Sequence, residues 1–190
     1  MLLKSKTSPA WVEAVLADFD AFLLDHAACE RKASATAMTL VAHYPDRVEL
    51  VRRCIALARE ELEHFERVWD TLTRRGLVLG PDKRSPYVNR LAKEYREGSD
   101  AYFLDRLLVA GIVEARGCER FGLVAAALPP GPLQDFYREI ARSEIRHHEL
   151  FLDLAREYFP PEVIQARLEE LLTVEARVVA DLPPRAAMYG

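Results

Sequence analysis

The sequence predicts an all-α fold: a four-helix bundle with one long crossover between its second and third helices, plus short flanking helices. Three observations carry this. Apolar and small residues recur at alternating steps of four and three along four long segments, the period of packed helices. Strict alternation bounded by hairpin turn signals is absent. Only 8 Gly and 11 Pro occur in 190 residues, few for a protein of many short strands.

The elements follow in order. Ser8 as N-cap with Pro9 at the first helical position opens a short helix. The first long seam runs Phe19, Leu23, His26, Glu30, Ala33, Ala37 and Leu40, and Pro45 punctuates it. The second runs Val51, Cys54, Ala58, Glu61, Phe65, Val68 and Leu72. A crossover from Arg75 to Ser99 carries a further short helix, opened by Ser85-Pro86. The third seam is Leu104, Leu107, Gly111, Glu114, Cys118, Phe121 and Ala125, ending before Pro129-Pro130-Gly131-Pro132. The fourth is Phe136, Ile140, Glu144, His147, Phe151, Leu154 and Tyr158. A last helix follows Pro161 to about Leu182. Two closely joined helix pairs and one long crossover make the ferritin-like arrangement, with an up-down bundle carrying a decorated loop as the alternative. The length suits one domain over residues 1–190.

Composition excludes several classes. Half of the residues are apolar and 29% are charged, which rules out disorder and fibrous character. A net charge of −4 provides no global basic field, so a nucleic-acid partner needs a local patch. The widely spaced Cys29, Cys54 and Cys118 fit reduced thiols rather than a disulfide framework or a zinc site. The N-terminus does not read as a signal peptide, and no apolar run reaches membrane-spanning length. A cytoplasmic protein is expected.

The chemistry lies in the seams. Each long helix places a glutamate where periodicity assigns core: Glu30, Glu61, Glu114 and Glu144. Two of them open a Glu-x-x-His, giving Glu61 with His64 and Glu144 with His147; residues three apart share one helix face. Glu30 precedes Glu61 by 31 residues and Glu114 precedes Glu144 by 30, so the chain reads as two similar helix pairs. One Glu-x-x-His is a common charge pair; two copies, each preceded by a lone seam glutamate, are the ligand set of di-metal carboxylate bundles. Four buried carboxylates would repel one another and lose hydration, whereas two divalent cations neutralise them. Oxygen and imidazole donors suit iron or manganese. Glu60, Glu63 and Glu119 fall off the seams, His148 is an alternative to His147, and His43 reads as a helix C-terminal residue. His26, one turn before Glu30, either packs in the core or bonds that glutamate. Small residues near Glu30 and Glu114 either leave room above a metal or let helices approach.

Between Arg74 and Arg96 seven basic residues face two acids, and this run either is a solvated loop or holds a phosphate backbone. Arg74, Arg75, Lys83 and Arg84 are its candidate phosphate contacts, and Tyr87 and Tyr95 could stack on bases.

The run Leu108-Val109-Ala110-Gly111-Ile112-Val113-Glu114-Ala115-Arg116-Gly117-Cys118-Glu119-Arg120-Phe121 resembles the MiaE family. Ala58-Arg59-Glu60-Glu61-Leu62-Glu63-His64-Phe65 and Ser143-Glu144-Ile145-Arg146-His147-His148-Glu149 extend the likeness. These are bacterial hydroxylases of 2-methylthio-N6-isopentenyladenosine in tRNA, beside the anticodon. The resemblance implies a di-iron centre on Glu30, Glu61, His64, Glu114, Glu144 and His147. It further implies O2 and an external electron donor as co-substrates, and the tRNA anticodon stem-loop as partner. Against it stand a different ferritin-like di-metal oxidoreductase (a small-molecule oxygenase, peroxidase or manganese catalase) and a non-enzymatic iron-handling bundle. The absence of Cys-x-x-Cys pairs disfavours a rubrerythrin.

Overall fold

The computed structural model describes residues 3–189. Among them all regular elements are helices: α1 (Pro9–Ala17), α2 (Phe19–His43), α3 (Val48–Arg74), α4 (Pro86–Ala92), α5 (Ser99–Ala127), α6 (Pro132–Tyr158) and α7 (Pro161–Asp181). The four expected long helices are α2, α3, α5 and α6, and the short helix of the crossover is α4. The described chain divides into two compact units, residues 14–83 with 186–188, and residues 3–13 with 84–185 and Tyr189.

The first unit is built on the α2–α3 pair. The Asp18 carboxylate accepts from the Ala21 amide (3.1 Å) and caps α2. The two helices run antiparallel: Asp20 meets Arg75 (2.7 Å), Ser34 Oγ donates to the Ala58 carbonyl (2.8 Å), and partners on α3 fall in number as those on α2 rise. Gly76 closes α3 at φ 73°, with its amide donating to Thr73 and that of Leu77 to Leu72, both at 3.0 Å. This Schellman turn needs left-handed backbone, which glycine adopts without strain.

The second unit is built on α5 and α6, with α4 and α7 packed beside them. Three ties fix the antiparallel register: His148 Nδ1 to the Gly111 carbonyl (3.1 Å), Cys118 Sγ to Ala141 (3.4 Å) and Gln134 Nε2 to Ala125 (2.9 Å). At Gly111 an added Cβ would meet Phe151 Cβ at 3.4 Å and the His148 carbonyl at 3.6 Å. Here the small residue serves close helix approach. Ser85 caps α4 by accepting from the Val88 amide (3.3 Å), with Pro86 at the first helical position.

The seams rotate slightly from the expected ladder. Val51, Phe65 and Phe136 are half-buried, while Leu50, Leu57 and Tyr137 are fully buried. A four-three ladder advances 3.5 residues per turn against the helix's 3.6, so it slips about 20° each heptad.

Two charged clusters lie inside the second unit. Asp105 is fully buried and receives the Arg96 amide (2.9 Å), the Arg96 guanidinium (2.8 and 3.0 Å) and Arg167 Nε (2.8 Å). Burial pushes its carboxyl upward, but these bonds outweigh it and hold the group below its ordinary range. Its stabilising contribution is therefore complete above the unfolded value near about 3.9 and disappears as pH falls through the folded value. In the other cluster, Arg116 grips Glu175 through Nε (2.8 Å) and Nη2 (2.9 Å), and also bonds the Ser5 carbonyl (3.1 Å) and Glu119. Tyr87 donates to Glu175 (2.9 Å) and stacks on Tyr189 at 5.1 Å. Tyr87 is thus core, which corrects the expectation that it could stack on bases. Tyr95 is half-buried, edge-on to Tyr102.

Candidate metal centre

In the first unit α2 contributes Glu30 and α3 contributes Glu61 and His64, all buried. His64 Nδ1 stands 3.6 Å from Glu30 Oε2 and 3.6 Å from Glu61 Oε2. Donors on one ion with bonds of about 2.1 Å lie roughly 3.0–3.4 Å apart, so this triad has nearly the spacing of shared coordination. His26 Nε2 lies 2.6 Å from Glu30 Oε1, one helical turn away and equally buried. It bonds the glutamate and stacks against Phe22 (6.0 Å), so both readings of that histidine hold together.

The charges show what the site attracts. Burial raises the Glu30 carboxyl, but bonds and charge from His26, then His64, bring it down to about 2. Burial lowers His64, but Glu30 and Glu61 raise it to about 10. The buried carboxylates thus demand positive charge, supplied here by protons on imidazole and equally suited to a divalent cation.

In the second unit the set repeats. Glu114 is half-buried on α5, whereas Glu144 and His147 on α6 are buried. His147 Nδ1 is 3.6 Å from Glu144 Oε1, and the donor atoms of Glu114, Glu144 and His147 lie within 4.8 Å of one another. His148 is taken up by the Gly111 carbonyl, which leaves the alternative to His147 without support. Burial and the charges of Asp25 and Glu30 push the Cys29 thiol well up, and burial with Glu144 and Glu119 raises Cys118. Both stay thiols and poor metal ligands.

The basic candidates are on the surface. Arg74 is exposed with Asp70 at 3.6 Å, Arg75 is exposed and pairs with Asp20, and Lys83 and Arg84 are exposed. Arg96, exposed as well, is committed to the buried Asp105. Sequence reasoning missed Arg116, Glu175 and Asp105. Glu175 was visible by the logic applied to Glu30, since it follows Leu168, Leu171 and Leu172 at core spacing.

A helical frame that buries glutamate and histidine donors on its paired helices defines a ferritin-like metal-carboxylate protein. Comparison with known proteins narrows that class: a family model described as tRNA-(MS[2]IO[6]A)-hydroxylase (MiaE) matches residues 1–189, and the chain belongs to this family. A Pseudomonas putida protein named tRNA 2-(methylsulfanyl)-N(6)-isopentenyladenosine(37) hydroxylase is 40% identical over 152 residues, 80% of this chain and 74% of that protein. A Salmonella typhimurium protein of the same name is 34% identical over 131 residues, covering 69% of this chain and about half (48%) of its own length. A solved structure, Protein 43 with aldehyde deformylating oxygenase activity from Synechococcus, superposes with a TM-score of 0.93 at 36% identity. That likeness covers 100% of this chain and 96% of the other. Among the described residues no helix is long and apolar enough to cross a membrane.

Proposed function

We propose that residues 1–190 act as one domain and that Glu30, Glu61, His64, Glu114, Glu144 and His147 hold a di-iron centre. That centre hydroxylates the isopentenyl side chain of 2-methylthio-N6-isopentenyladenosine in tRNA, in the cytoplasm. The observation that carries this reading is the repeated triad, Glu30, Glu61 and His64 in one unit and Glu114, Glu144 and His147 in the other, buried but for the half-buried Glu114, in a chain of this family. The donor set fits the metal: four carboxylates balance two divalent cations, and hard oxygen with imidazole suits iron. When bound, iron supplies the O2 activation that side chains cannot, drawing two electrons from an external reductant.

The chain's own residues do the rest. His26 fixes the orientation of Glu30 through a bond to Oε1, leaving Oε2 turned toward His64. Burial of Glu30, Glu61, Glu144 and both histidines excludes water, which strengthens the electrostatics of the site and suppresses proton leakage. The target adenosine lies in a loop, where leaving the stack costs little. Arg74, Arg75, Lys83 and Arg84 contact the stem-loop phosphates in this reading. Reversing their four charges is expected to weaken tRNA binding and flatten its dependence on salt; an unchanged salt slope in a filter-binding titration would remove them from the interface.

The direct test is mass spectrometry of nucleosides from tRNA carrying the modified adenosine, incubated with iron-loaded protein, O2 and a reductant. That nucleoside alone gains one oxygen, and the gain vanishes in Glu114→Ala. No gain despite bound iron refutes the reading. A second reading, an oxygenase acting on an aldehyde, is favoured by the similarity to the Synechococcus structure. Formate released from an aldehyde, with tRNA nucleosides unaltered, would establish it instead.

A further inference from the structure

Helix α3 also carries an outward stripe that the donor triad does not use. Val48, Ile55, Leu62 and Trp69 recur every seven residues and are 78%, 44%, 50% and 44% exposed. A helix drifts about 20° per heptad, so the four form one stripe roughly 32 Å long. The positions three residues further on, Val51, Ala58, Phe65 and Leu72, are apolar as well; Val51 and Phe65 are half-buried, and Ala58 and Leu72 are buried. Apolar residues at both positions through successive heptads make a coiled-coil seam, with half of this one open to solvent.

We propose that α3 is the contact between two copies of this chain, packed antiparallel about a two-fold axis. Charge beside the stripe is self-complementary only in that direction. Arg52 and Arg59 flank its first half and Glu63 and Glu66 its second, all exposed. Parallel packing would turn this side toward Cys54, Glu61 and Val68 of the second copy, which are buried, so the charges would meet no counterpart. The antiparallel register that sets Ile55 against Phe65 of the second copy brings Arg52 to Glu66, twice by symmetry, and places Arg59 of both copies beside the axis, between the two Glu63 side chains. Arg52 also bonds Glu49 of its own helix at 2.7 Å, and its partner across the axis extends that arrangement. The four apolar side chains expose on the order of 400 Å², the size of the largest patch on a typical monomer, which is often functional. With Val51, Phe65 and the charged stems, the face approaches the roughly 800 Å² per partner of a standard interface. The flanking charges cancel, so the stripe has no net attraction for a polyanion. The inference is independent of the metal and of the reaction.

Sedimentation velocity of the full chain at micromolar concentration should give twice the 21.6 kDa chain mass. Leu62→Lys is expected to weaken the dimer at least about 100-fold, because it places a charge in the centre of the seam. Ile55→Lys, two turns away, repeats the test, with circular dichroism reporting unchanged helix content for these exposed positions. Arg52→Glu and Glu66→Arg should each weaken association about tenfold, and their combination should restore it. A wild-type chain at single-chain mass overturns the proposal, as does a dimer indifferent to both lysine variants. Failure of the charge swap to rescue overturns the antiparallel register. A monomer in which Leu62→Lys weakens tRNA binding would assign the stripe to nucleic acid and overturn it too.

Discussion

Glu144→Ala is expected to lower bound iron per chain and to cut hydroxylation by at least about 1,000-fold, equivalent to several kcal/mol of lost charge compensation. The side chain is buried on α6 beside His147, and in the proposed centre alanine would remove both an oxygen donor and one of the charges that balance the cations. Two companion variants make this a test of position rather than of acidity. Glu149 lies on the same helix but faces solvent, so Glu149→Ala should leave iron content and turnover unchanged. His26→Ala keeps every direct donor but frees Glu30 to rotate, and losses of about 10–100-fold in metal affinity or activity are usual for such supporting bonds. Iron by elemental analysis and hydroxylated nucleoside by mass spectrometry give two readouts. Equal losses in Glu144→Ala and Glu149→Ala would remove the metal assignment.

The glutamates and histidines that the structure brings together were legible in the sequence because they break the apolar pattern at regular positions. A glutamate in a seam has no cheaper explanation than a counter-charge, and the Glu-x-x-His spacing places the second donor on the same face. Two kinds of feature escaped. Arg116, Glu175 and Tyr87 come from three helices, and their bonds span 59 and 88 residues, a separation that periodicity does not register. The basic run failed differently. Arg96 and Tyr87 sit among residues suited to a phosphate contact, yet both are already engaged, the exposed Arg96 by the buried Asp105 and the buried tyrosine by Glu175. Composition reports how many charges a segment has, whereas partners decide which of them are already committed. His26 shows the same limit, because one spacing served both packing and a bond to Glu30, and only geometry revealed both together.

Glu175→Ala is expected to destabilise the fold by about 3–5 kcal/mol, against a total of roughly 5–15 for a native protein. Arg116 and Glu175 are both fully buried, and the guanidinium grips the carboxylate through two nitrogens, the geometry in which planar partners match. Alanine at 175 leaves a buried cation with only Glu119, Thr7 and Ser5, and it strips the Tyr87 hydroxyl of its acceptor. The cost arises mostly from the group left behind, so removing both charges should be far cheaper. Arg116→Met combined with Glu175→Leu is expected to recover most of the loss, as replacing whole buried pairs by apolar residues often does. Lys4→Ala provides the contrast. Its pair with Glu169 is largely solvated, and surface pairs contribute at most about 1 kcal/mol. In a chain of this length Glu175→Ala should lower the thermal midpoint by about 6–20 °C, at about 2–4 °C for each kcal/mol. A shift for Glu175→Ala no larger than that for Lys4→Ala would show that the buried pair does not hold α7 to α5.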